Sequence, residues 1–290
     1  MFETALLIGL AIAAVWLPPL RLPRGRAIPP WIPLFGAATV GAAWSGMADG
    51  LGLLAIAVFA LLALASVRST RAEVRQWSMV AAVVLVAFML ALPRVPGFQN
   101  FVIVPGVRLS SDALPMRLTA RFGAGVAGLF LLALYCRRVR TLRELRAMLG
   151  PTARIALATT AVVIGLALWA GYVRLDPKLP SFTLAYLAKM LFFTVVLEEA
   201  FFRGIVQDRL ARAPWIASRH GLRWLPLVIS SLLFGLAHAP GGWAFAGLAT
   251  VAGIGYGLAY ARTGRIEAAI AVHFTVNTVH FLGFTYPRLA

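Results

Sequence analysis

Apolar residues run along this chain in ten long blocks, at about 5–20, 32–47, 51–67, 77–92, 122–136, 155–173, 182–203, 224–239, 243–261 and 266–284. Arginine, proline and glycine punctuate the joints between them. Near-continuous apolar runs of this length read as membrane-crossing helices, although several of them lie at or below the ~17-residue lower limit for a span. The pattern therefore predicts an all-α, polytopic membrane helical bundle of about ten transmembrane helices. Glu3 precedes the first block and no basic stretch does, so that block reads as a retained span, not a cleaved signal peptide.

Composition agrees. Hydrophobic residues make up 61% of the chain and charged residues 13%, and the mean hydropathy is +0.85, far from the usual soluble range. A net charge of +17 invites a nucleic-acid reading. No basic stretch is long enough to track a phosphate backbone, so nucleic acid is not an expected partner and the lipid bilayer is. Counted loop by loop, 19 Lys and Arg fall on one side of the alternating spans and 7 on the other, with Lys189 inside a span. The positive-inside rule then places the N-terminus outside. Arginine replaces lysine almost throughout, which suggests a bacterial cytoplasmic (inner) membrane. Cys136, the lone cysteine, reads as an ordinary reduced thiol. Nothing in the sequence bears on oligomeric state.

The division expected from the sequence falls at Gly150 and Pro151. Residues 1–150 would form an N-terminal region of about five spans with no acid buried in them, and 151–290 a catalytic core of five more. The stretch 93–121 reads as an ordered outside loop, with a re-entrant or surface-lying segment as the alternative. Leu142, Leu145 and Met148 among arginines suggest a short amphipathic helix at the membrane surface.

Of the ten acids, eight fall in loops or at span edges, and only Glu198 and Glu199 lie deep in apolar sequence. A charge near the middle of a bilayer costs at least ~2.5–3.5 kcal/mol on insertion scales, so such residues face a bundle interior or a wet cavity. Consecutive helical residues point about 100° apart, so the two carboxylates should have different roles. Glu199 and Arg203 form an i, i+4 pair, acid first, that can neutralise itself. Glu198 is left to seek a histidine, the arrangement that tunes a carboxylate as a general base. His238 shares a face with Phe234. His273 and Asn277 share another, and together could donate two hydrogen bonds to one oxyanion. His280, further along that helix, is expected to pack. No GxSxG or HExxH motif occurs, and no pair of aspartates is buried, which removes the serine-elbow, zincin and aspartyl readings.

Three motifs now stand in order: EExxxR at Glu198–Arg203, FxxxH at Phe234–His238 and HxxxN at His273–Asn277. Over about residues 183–284 they resemble the CPBP family, the CAAX proteases and bacteriocin-processing enzymes that include the eukaryotic Ras-converting endopeptidase. The resemblance implies a metal-free intramembrane glutamic endopeptidase. In it Glu198 and His238 activate water, His273 and Asn277 form the oxyanion hole, and Glu199, Arg203 and Phe234 support them. Its substrate would be a membrane-anchored protein or peptide, as in C-terminal processing or myxosortase-like sorting. Three other readings use the same residues. Glu198, His238 and His273 could ligate zinc in a hydrolase. The polar network could serve only helix packing, in a scaffold or bacteriocin-immunity protein. A proton-coupled transporter could relay protons through Glu and His, but the paired halves of an inverted repeat are missing.

Overall fold

The computed structural model describes residues 1–25, 27–68 and 73–290, apart from the side chains of Arg24 and 73–77. Arg26 and Arg71 of the charge count therefore lie outside the described residues, as do the side chains of Arg24, Glu73 and Arg75. Every apolar block is helical, and the fold is an all-α helical bundle. In chain order the first elements are α1 (Phe2–Ala13), the short strands β1 (Leu20–Arg21) and β2 (Ala27–Ile28), α2 (Trp31–Trp44), α3 (Gly50–Arg68) and α4 (Glu73–Ala91). The stretch expected as a loop carries instead a two-stranded sheet, β3 (Phe101–Val107) and β4 (Met116–Ala120). Its Phe-Val-Ile-Val run is rich in the β-branched and aromatic residues that favour strands. Then come α5 (Phe122–Tyr135), α6 (Leu142–Trp169), α7 (Thr183–Met190), α8 (Val196–Glu199), α9 (Asp208–Arg212), α10 (Pro214–Ala217), α11 (Leu225–Ala237), α12 (Trp243–Thr263) and α13 (Ile266–Gly283).

Among the described residues four helical stretches are long and apolar enough to cross a membrane: Gly50–Arg68, Leu142–Trp169, His220–Ala237 and Trp243–Thr263. Four more, Phe2–Trp16, Trp31–Trp44, Ser78–Ala91 and Phe122–Tyr135, are apolar but shorter. The amphipathic segment at Leu142 is the first part of the 28-residue α6, begun by a Thr141 side chain that accepts a hydrogen bond from the Glu144 N–H at 3.2 Å. Such a cap satisfies one of the four orphan donors of a helix start. Gly150 and Pro151 lie inside the same continuous helix.

The chain forms two compact units. One comprises Met1–Ile103, Thr119–Tyr135 and Phe192–Leu197. Its interior is organised around α5, whose residues Phe122 to Leu132 are all buried. The Phe130 ring receives Trp31, Phe35 and Phe59 edge-on, with centroids 5.6, 5.1 and 5.7 Å away. Gly125 and Gly128 leave room on α5 for neighbours: an added Cβ would lie 3.1 Å from Ile8 and 3.3 Å from the Leu197 backbone.

The second unit comprises Val104–Leu118, Cys136–Leu191 and Glu198–Ala290. Here α12 is the central packing element. A Cβ on Gly255 would fall 2.1 Å from Thr159 Oγ1 on α6, and one on Gly257 would fall 2.9 Å from Gln207 Oε1. Gly235 on α11 has the same relation to Thr250 on α12. Small residues at these positions let backbones approach closely, as membrane helix interfaces require. Gly247, also on α12, has open space around it. Gly242 does something else, turning the chain into α12 at φ +106°, a conformation that L side chains rarely adopt.

Candidate active site

Glu198 and Glu199 end α8, a single α-helical turn between two π-helical stretches, Leu191–Val195 and Ala200–Gln207. The π turns widen the helix on either side of the two acids. Such bulges are rare and occur frequently at functional sites. Glu199 and Arg203 are both fully buried, and Arg203 Nη1 donates to Glu199 Oε1 at 3.0 Å. The guanidinium also donates to the Gly253 carbonyl of α12 at 2.9 Å. Aromatic faces surround it, with Phe234 at 4.6 Å and Tyr256 at 5.3 Å from Cζ. A buried ion pair persists only with such auxiliary hydrogen bonds, because the desolvation of each ion amounts to several kcal/mol.

His273 of α13 joins this pair. Its Nδ1 lies 2.8 Å from Glu199 Oε1, and its Nε2 lies 3.9 Å from Glu198 Oε2. A carboxylate oxygen only accepts, so Nδ1 carries the proton and donates to Glu199. Tyr256 stacks on the imidazole at 4.4 Å with the planes 12° apart, and Phe234 meets it edge-on at 5.7 Å. Hydrogen bond, stack and edge contact together fix the ring. Glu198 is less enclosed. A quarter of its side chain is exposed, yet Oε2 itself is sealed and has no hydrogen-bond partner among the described residues.

His238 caps the C-terminus of α11. Its Nδ1 donates to the Phe234 carbonyl at 2.8 Å, which leaves Nε2 as a lone-pair acceptor in the neutral ring. No carboxylate of the described residues lies within ion-pair distance of it. Phe234 bridges the two imidazoles, 4.5 Å from His238 and 5.7 Å from His273. Asn277, one turn beyond His273, is half-buried. The structure thus gathers Glu198, Glu199, Arg203 and His273 into direct contact, connects His238 through Phe234, and places Asn277 on the His273 face of α13. His280 contacts the Thr285 carbonyl at 3.3 Å and the Tyr286 ring, away from this group.

Sequence reasoning missed Tyr256. Its signal was a single large aromatic between glycines in GIGYGLAY, where the flanking small residues bring a backbone close enough for the ring to cover a neighbour. It also gave Glu199 only Arg203 as a partner. Zinc ligation by Glu198, His238 and His273 would need the three together, and no group of three His, Cys, Asp or Glu among the described residues is placed to hold a metal ion.

Residues 180–279 match the family model described as type II CAAX prenyl endopeptidase Rce1-like. This segment is Rce1-like. The Rce1-like segment holds all three motifs and begins just before α7. The family it resembles is one of CAAX-type intramembrane proteases, hydrolases that act on membrane-bound peptides or proteins, and with the apolar helices the match marks an integral membrane protein. No curated protein and no solved structure matches the chain.

Proposed function

We propose that the chain is an intramembrane glutamic endopeptidase that removes a terminal segment from a membrane-anchored protein, with Glu198 as general base. One observation carries this reading. Glu199 holds His273 by Nδ1, so that Nε2 is presented to Glu198, whose Oε2 has no other partner.

In the reaction, Glu198 takes a proton from water as its oxygen attacks the scissile carbonyl carbon, assisted by the lone pair on His238 Nε2. The carbonyl oxygen becomes an oxyanion. Asn277 Nδ2 and His273 Nε2–H donate to it, the kind of preorganised pair whose members are each worth about 10²–10³ in rate. His273 can donate from Nε2 only when its ring is doubly protonated, because Nδ1–H is already committed to Glu199. The C–N bond then breaks, Glu198 returns its proton to the leaving amine, and the carbonyl reforms as a carboxylic acid. No metal enters these steps. A chelator should therefore leave cleavage unchanged, and inhibition restored by zinc would favour the zinc hydrolase.

The experiment is comparative membrane proteomics of cells carrying wild type or Glu198→Gln. Proteins that keep a terminal segment only in the variant are the expected result. An identical proteome with lower detergent stability of the variant would instead identify a scaffold.

A further inference from the structure

The end of the second unit that holds Tyr172, Arg174 and the last residues of the chain carries a cation that the proposed chemistry leaves unused. The acids Asp112 and Asp176 of the same unit are both engaged: Asp112 pairs with Arg174, and Asp176 pairs with Lys178 and accepts from Ser110. Arg288 has no carboxylate partner among the described residues. Its guanidinium lies 5.6 Å over the Tyr172 ring. The backbone around it is fixed on both sides, since the Arg288 carbonyl accepts from Leu114 N–H at 3.1 Å and Leu289 N–H donates to the Tyr172 carbonyl at 3.1 Å. A half-buried guanidinium held in place, stacked and unneutralised presents a fork suited to a carboxylate.

A path of rings connects it to the candidate active site. Tyr172 lies parallel to Phe245 at 6.5 Å, and Phe245 meets His238 edge-on at 5.2 Å. Phe245 is 36% exposed, so the path forms a surface shelf and not a buried stack. Extended peptide advances ~3.3–3.6 Å per residue, so about five residues at most reach from His238 to Arg288.

Resting on the reading of the site as a peptidase, we infer that Arg288 is a specificity-determining residue: it binds a carboxylate carried by an otherwise apolar substrate segment, within about five residues of the scissile bond, laid along Phe245 and Tyr172. The carboxylate is either an Asp or Glu side chain or the segment's own C-terminus.

The test uses the full chain as Glu198→Gln, so that binding is read without turnover, in phosphatidylcholine nanodiscs. The probes are lipid-anchored apolar decapeptides in three versions: C-terminally amidated and neutral, free at the C-terminus, and amidated with one internal Glu. A carboxylate-bearing version should bind about tenfold tighter than the neutral one. Adding Arg288→Gln should abolish that preference and Arg288→Lys should retain part of it, with unchanged unfolding temperatures. Which version is preferred identifies the source of the carboxylate. Equal binding of the three probes, binding of none, or a preference that survives Arg288→Gln overturns the inference. Retention of phosphatidylglycerol by wild type in native mass spectrometry, lost in Arg288→Gln, with no carboxylate preference, also overturns it and assigns the cation to lipid phosphate. Turnover retained by Glu198→Gln would instead sink the peptidase reading, and the binding comparison would stand apart from it.

Discussion

The two units fill their interiors differently. In the first, the buried polar side chains among the described residues are Thr4 and Ser66, small hydroxyls, and the centre is Phe130 with three rings on its edges. In the second, a carboxylate, a guanidinium, an imidazole and the Gln207 amide are buried together. Apolar packing of the first kind is non-directional and tolerates exchange at constant volume. A buried ionic group tolerates almost nothing, because each member is held by the others and any one left alone bears its full desolvation penalty. The proposed chemistry draws on the second interior, where the buried polar groups lie.

Substitution should separate the two interiors. The largest effect on stability is expected from Arg203→Met, which strands the Glu199 carboxylate and should cost about 3–5 kcal/mol. Thermal unfolding in detergent reads it. Phe130→Ala in the first unit should lower stability by a similar amount, about 3–5 kcal/mol, yet leave cleavage per folded molecule near wild type. Equal loss of specific activity in both variants would erase the distinction. The double variant Glu199→Gln/Arg203→Met sharpens it, because removing both charges should recover much of the stability while cleavage stays low for want of a carboxylate on His273 Nδ1. Recovery of cleavage as well would reduce Glu199 to a structural partner.

Smaller effects follow at the glycines. Gly255→Ala places a methyl group 2.1 Å from Thr159 Oγ1 and should cost about 1–3 kcal/mol by overpacking. Gly125→Ala, where the nearest atom is 3.1 Å away at the flexible Ile8 side chain, should cost less. The reverse order would mean that the first unit is the tighter of the two.

Much of this was legible in the letters. All ten apolar blocks are helical, because length and continuity of apolar character leave few alternatives. The Glu199–Arg203 pair was legible too, since it depends on local spacing alone. What was not legible is non-local or irregular. The π turns on either side of α8 leave no mark in the letters, and neither does the imidazole between the two carboxylates, which turns one ring nitrogen to each. The division at Gly150 and Pro151 was drawn where spans without a buried acid give way to spans that carry them, and the letters there do not show that α6 runs through both residues as one helix. The strand pair β3–β4 was hidden by four prolines around its apolar run.

The smallest expected effect lies in the second unit beside Ser110, Asp176 and Lys178. The hydrogen bond from Ser110, and after it Lys178, holds the Asp176 carboxyl below its ordinary value. A depressed folded-state value contributes stability above the unfolded value and loses it as the pH falls through the folded one. The unfolded value is about 3.9, so the contribution should fade below about pH 4, by under ~1 kcal/mol because the pair is solvated. Asp176→Asn should flatten that part of the stability profile and leave cleavage at neutral pH unchanged.

Cleavage of a protein that retains its terminal segment in Glu198→Gln cells is the decisive measurement, made with purified wild type and Glu198→Gln in identical nanodiscs. A fall of about 10²–10⁴-fold in rate, the usual worth of a general base, at an unchanged unfolding temperature is the predicted result. Turnover by Glu198→Gln at the wild-type rate would contradict it.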